Sequence, residues 1–149
     1  PEVYLGIGFA RAPLGNAKGF GSGETVIYTL PATTDFVANL AYFSGSWQTF
    51  NDFSKNVMPN SEVGLNYKAK KLNIVAGSPE EVILSIRIDG VALNETNKGD
   101  DAELVNGEYV IKVKEERLYN LVSDVDYSSK TIVFEISGTD FELYTFTFG

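Results

Sequence analysis

Apolar and polar residues alternate at period two through most of the chain, a spacing that predicts β-strands. EVGLNYKAK (62–70) places Val63, Leu65, Tyr67 and Ala69 on one face and Glu62, Asn66, Lys68 and Lys70 on the other. VILSIRIDG (82–90) turns Val82, Leu84, Ile86 and Ile88 inward and Ser85, Arg87 and Asp89 outward, and Asp89-Gly90 closes the run as a turn. EYVIKVKE (108–115) aims Tyr109, Ile111 and Val113 inward, and KTIVFEISG (130–138) does the same with Ile132, Phe134 and Ile136. The last strand, FELYTFTF, alternates Tyr144, Phe146 and Phe148 with Thr145 and Thr147. Further strands are predicted at 25–30, across 36–50 and at 71–76.

Glycine punctuates residues 5–24 and NETNKGDD occupies 94–101, so both stretches read as loops. Helix starts are conceivable only at 33–41 and 79–82, and Pro79-Glu80-Glu81 reads better as a turn into the next strand. Some eight short strands without a long helix predict two packed antiparallel sheets. No repeat or linker divides the chain, so residues 1–149 are expected to form one β-sandwich domain.

Composition removes several chemistries. The 149 residues include no Cys and no His, which excludes thiol nucleophiles, disulfides, imidazole bases and the usual zinc ligands. The net charge is −8, with sixteen acids and nine bases in residues 61–149. Such a surface repels phosphate backbones and anionic membranes, and the cluster Lys68, Lys70 and Lys71 is too small to reverse that. No apolar run reaches membrane-spanning length, so no membrane insertion by this segment is expected. The first residue is Pro1, as expected of a processed chain or a piece of a longer one.

LAYFSGSWQTF (40–50) holds the single tryptophan. On straight parity Trp47 shares an inward face with Phe43 and Ala41, while Ser44, Ser46 and Gln48 point out. A bulge at Gly45 would flip the register and free Trp47 to stack on a sugar or a partner side chain. Both orientations are open at this point.

Motifs for catalysis are missing. Ser22 and Ser46 lack the pattern of a nucleophile elbow, and GFGSGE is followed by no Lys-Ser/Thr pair. Asp124 and Asp126, with Glu135 further on, mimic calcium-loop spacing, but Ser129 stands where that loop needs glycine. Asp100, Asp101 and Glu103 are a second place where a structural calcium could bind, and no other cofactor is expected. A pair of carboxylates could hydrolyse glycosides, but nothing singles out two. Asn94-Glu95-Thr96 is a formal glycosylation sequon.

Seven segments, PEVYLG, YTLP, SGSW, YKAKKLNIVAG, IRIDG, RLYNLV and YTFTFG, occur in an order that resembles the C-terminal domain of DipZ-type proteins, the thioredoxin-like C-terminal domain. That resemblance implies a β jelly roll similar to carbohydrate-binding modules. It also implies a thioredoxin-like domain earlier in the same polypeptide, an extracytoplasmic or periplasmic location, and a tether through a CcdA-like membrane part of the kind found in cytochrome c biogenesis. Two positions depart from the family pattern: Lys70 where Arg is usual, and Asn73 where His is usual. Lys cannot make the fixed bidentate fork of Arg.

The fold expected is therefore all-β, a jelly-roll sandwich of two antiparallel sheets. The function expected is a non-catalytic accessory module that binds a glycan or a polypeptide and presents it to the attached thioredoxin-like domain. The alternative is a module that only packs against that domain or dimerises. Candidate ligand-binding residues are Trp47, Tyr42, Gln48, Arg87, Arg117 and Tyr119. In RLYNLV, Arg117 and Tyr119 share a face on which they could meet a carboxylate or a sugar, or tie the segment to a neighbouring acid.

Overall fold

The computed structural model describes residues 2–149 as thirteen β-strands and one 3-10 turn at Thr33–Asp35. In chain order the strands are β1 (Glu2–Tyr4), β2 (Val26–Tyr28), β3 (Ala41–Thr49), β4 (Ser54–Asn56), β5 (Glu62–Lys68), β6 (Lys71–Gly77) and β7 (Val82–Ile88). They continue with β8 (Val91–Ala92), β9 (Ala102–Val105), β10 (Glu108–Val113), β11 (Arg117–Ser123), β12 (Ser129–Ile136) and β13 (Glu142–Phe148). All pairings are antiparallel. The result is the expected all-β jelly-roll sandwich.

Sheet I runs β11-β6-β13-β4-β3-β2, with β1 sharing the β13 edge with β4. Sheet II runs β3-β5-β12-β7-β10-β9, with β8 added beside β7. Strand β3 belongs to both. Its first half, Ala41 to Ser44, pairs with β5, and from Gly45 onward it pairs with β2 and then β4. Gly45 makes this change of sheet at φ +83°, in the left-handed region where only glycine is unstrained. A Cβ there would also stand 2.9 Å from the Ser61 Cα.

The inward faces follow the period-two reading. Val63, Leu65, Leu84, Ile86, Ile111, Ile132, Phe134 and Ile136 are fully buried, and sheet I answers them with Leu72, Ile74, Leu121, Leu143 and Phe146. Two bulges break the pattern. On β13 the register shifts between Leu143 and Thr145, so Leu143 and Phe146 point inward while Tyr144 turns out to donate to Glu116. The simple alternation of Tyr144 with Phe146 is therefore corrected. On β11 a shift between Asn120 and Val122 buries both Leu121 and Val122. The short β1, β4, β8 and β9 have too few residues to show a period and were not expected.

Three buried amides fasten the loops. Asn16 Oδ1 accepts from Phe43 N at 2.7 Å while its Nδ2 donates to Phe43 O at 2.9 Å and Thr29 O at 3.1 Å. It thus stands in for a strand along the first half of β3, satisfying a buried backbone pair. Asn56 ties the loop at Met58 to Gly138 and Phe141, and Asn120 joins β11 to Asn73 and Asp100.

Candidate functional site

The outer face of sheet II carries an open groove of about 620 Å³. Its floor comes from outward positions of three adjacent strands. Gly64 on β5 faces Val133 on β12, and Val133 faces Arg87 on β7. In the next row Asn66 Nδ2 donates to Thr131 Oγ1 at 2.9 Å, and Thr131 N donates to Asp89 Oδ1 at 2.9 Å. The wall is the segment between β2 and β3, with Leu30, Thr33, Thr34 and Phe36. Gly64 makes the wall possible, because a Cβ there would sit 2.7 Å from Phe36 Cζ. The groove offers an aromatic edge, an amide, hydroxyls, a carboxylate and an exposed guanidinium. Arg87 takes part in none of the three ion pairs formed among the described residues, so its donors are free for a ligand.

Of the six candidate residues, Arg87 alone lines this groove. Tyr42 belongs to the same cross-strand row but is 3% exposed. Its ring stacks on Phe36 at 4.2 Å, Gly15 closes the other side, and its hydroxyl accepts from Val37 N. It supports the wall from behind and borders a neighbouring depression with Gly15 and Asp35 rather than the groove. Trp47 is corrected to core. It is 1% exposed, lies flat on Phe43 at 4.1 Å and donates Nε1–H to Ser44 O at 2.9 Å. Gly45 bends the strand where it changes partners, yet Trp47 remains packed on Phe43 in the same core. Gln48 donates to Gly23 O and ties down the glycine loop.

Arg117 and Tyr119 lie on β11 of sheet I. The Arg117 guanidinium lies 3.8 Å above the Tyr119 ring and pairs with Asp101 at 3.0 Å, a hydrogen bond that raises its already high pKa. Tyr119 is itself 1% exposed, and its hydroxyl donates to Glu115 O at 2.6 Å. The pair ties this segment to a neighbouring acid.

Along its whole length, residues 1–149, the sequence matches the family described as "Thioredoxin like C-terminal domain". The chain belongs to that family. No curated protein sequence matches this thioredoxin-like C-terminal domain. Among solved structures it is similar to a family two carbohydrate esterase from Clostridium thermocellum in complex with cellohexaose, at TM-score 0.51 and 17% identity over 66% of this chain. That alignment takes in 27% of the esterase chain. It is also similar to CsCBM6-3 from Clostridium stercorarium in complex with cellobiose, at TM-score 0.40 and 12% identity, over 93% of this chain and 92% of that one. At 17% identity the likeness to the esterase concerns fold alone.

The two positions expected to depart from the family pattern have plain structural roles. Asn73 accepts from Asn120 at 2.8 Å and donates to Thr147, so this member uses an amide as a rung between strands, and Lys70 is exposed in the β5–β6 turn. Among the described residues no group of three or more carboxylates gathers for an ion. Asp124 Oδ1 instead accepts from Asp126 N, and both oxygens of Asp101 are taken by Arg117 and Asn120. Among the described residues no helix is long and apolar enough to cross a membrane. The parity of β5 and β7 had already turned Asn66, Arg87 and Asp89 outward. The strand expected across 36–50 begins only at Ala41, so Phe36, like Thr33, lies in an irregular segment that carries no period.

Proposed function

We propose that this domain is a non-catalytic recognition module that holds a glycan in the groove of sheet II and presents it to a thioredoxin-like domain of the same polypeptide, outside the cytoplasm. The observation that carries this reading is the convergence of Arg87, Asn66, Thr131 and Asp89 on one open groove edged by Phe36. Pockets for polar ligands combine an apolar wall with a few placed hydrogen-bonding groups, and a pyranose presents both surfaces. Glu62 and Glu135 are cross-strand partners on this face, but neither lines the groove, so no acid pair flanks the ligand path. With no cysteine in the chain, thiol exchange falls to the partner domain.

Calorimetric titration with neutral and acidic oligosaccharides tests the proposal. One of them binds, and Arg87→Ala weakens it about tenfold, the cost of losing a charge-assisted hydrogen bond. Silence of the whole panel at millimolar concentration would remove the glycan as ligand.

A second reading, packing against the companion domain, draws on sheet I. The rings of Phe50, Phe53 and Tyr144 follow one another at 5.3 Å spacings, with Tyr4 and Phe9 paired at 6.1 Å beside them. Phe9 and Ile7 are 53% and 46% exposed. Hydrogen exchange on a two-domain chain distinguishes the two: interdomain packing protects this ridge, and glycan recognition leaves it open.

A further inference from the structure

A second cleft, of about 350 Å³, lies beyond the groove, and Asn39, Lys68, Ala69, Tyr127, Phe148 and Gly149 line it. It shares β5 with the groove: Asn66 borders one, and Lys68, two residues on, borders the other. Three features set it apart from a chance depression.

The first is the aromatic side chain at its mouth. Tyr127 is 63% exposed although it sits on a fastened loop. The fastener is Lys130, whose buried ammonium donates to Asp126 O at 2.7 Å, Ala69 O at 3.0 Å and Ser128 O at 3.3 Å. A cation fully spent on carbonyls fixes the loop backbone and so holds Tyr127 in place against solvent. The second is a layer of rings below. Phe148 is half-buried, and beneath it Tyr67 packs at 6.1 Å with its buried hydroxyl unpartnered. The third is charge. On a chain of net charge −8, one member of the basic cluster, Lys68, lines this cleft, and no acidic side chain does. Lys68 Nζ stands 5.3 Å from the Tyr127 ring centre, and the stem of Lys71 runs beside Gly149. Asp124 and Asp126, on the same loop, do not line the cleft.

We propose that this cleft is a subsite for a carboxylate-bearing sugar, a uronate residue. The apolar face of its pyranose lies on Tyr127 and Phe148, its carboxylate meets Lys68, and Asn39 hydrogen-bonds a hydroxyl. An acidic peptide fits less well. Tyr127 and Phe148 offer ring faces that a pyranose covers, whereas an acidic peptide would engage Lys68 alone.

The site is separable from the groove, and the test keeps them apart. The isotope-labelled domain is titrated with trigalacturonate, cellotriose and triglutamate while amide and aromatic resonances are followed. Trigalacturonate is expected to shift Tyr127, Lys68 and Phe148. Its binding should weaken about tenfold in Tyr127→Ala and in Lys68→Glu, by loss of one stacked ring or one charge-assisted contact. Uronate binding at the cleft survives Arg87→Ala, whatever that variant does to the groove. Both altered side chains are exposed, and a thermal melt confirms that each variant folds. Equal binding of cellotriose or triglutamate, shifts centred on Arg87 and lost with it, or no shift at all would each overturn the assignment.

Discussion

Replacing Gly45 by alanine tests the hinge that keeps Trp47 in the core. Two costs add. An L-residue held at φ +83° pays about 1–2 kcal/mol for the left-handed backbone. The new Cβ must also displace Ser61, whose Cβ would be 2.8 Å away and whose Oγ would be closer still. Ser61 cannot yield freely. It is 1% exposed, donates to Met58 O at 2.8 Å and accepts from Ile136 N at 3.0 Å. Overpacking of this kind costs about 1–3 kcal/mol, so Gly45→Ala should lose about 2–5 kcal/mol in all. For a chain of this size that lowers Tm by roughly 5–15 °C. Urea unfolding followed by Trp47 fluorescence measures it, with the m-value checking that the two-state transition is kept. Adding Ser61→Gly should restore only part of the loss, because it removes the Oγ and Cβ contacts but leaves the backbone and its strain. A loss below about 0.5 kcal/mol, the range of neutral surface changes, would show that β3 does not need glycine to change sheets, and the reasoning about Trp47 would fall with it.

Other expectations follow from buried polar groups. Tyr67→Phe removes an unpartnered buried hydroxyl and should stabilise the domain by about 1 kcal/mol at neutral pH, measured by urea unfolding. Burial, reinforced by Asp124 and Asp89, raises the Tyr67 phenol above its ordinary value, and burial with a hydrogen bond to Glu116 raises Tyr144. The unfolded chain therefore loses these protons first, at pH about 10, and stability present below that pH is lost as the pH climbs toward the folded values. Thermal melts from pH 8 to 11 should show this fall, and it should be shallower in Tyr67→Phe. Asn16→Ala strands the N–H and C=O of Phe43 in the interior and should cost about 3 kcal/mol, with amide exchange at Phe43 accelerated.

Much of the sandwich was legible because its long strands each bury one face. Val63 to Ala69, Val82 to Ile88 and Ile132 to Ile136 keep strict alternation, and their outward partners Asn66, Arg87 and Asp89 became the groove floor. Parity failed where the chain leaves the simple pleat. The bulge between Leu143 and Thr145 took Tyr144 off the inward face of Phe146, and Leu121 and Val122 are buried side by side. Straight parity had set Trp47 on the face of Phe43, but no pattern showed that Tyr42 is covered. Phe43 is four residues from Trp47, but Phe36 and Gly15 reach Tyr42 only through loops that no period describes. Tyr127 was equally invisible, since it lies on a loop outside any strand, held through backbone carbonyls by Lys130.

Amide chemical shifts recorded during a titration with cellotriose and trigalacturonate test the central claim most directly, because they show in one experiment whether a glycan binds and where. On this account at least one of the two sugars moves Asn66, Arg87, Thr131 and Val133, while the Trp47 indole N–H, bonded to Ser44 O, stays where it is. A moving Trp47 indole, shifts confined to the aromatic ridge of sheet I, or no response to either sugar would contradict a recognition module that reads glycans on the outer face of sheet II.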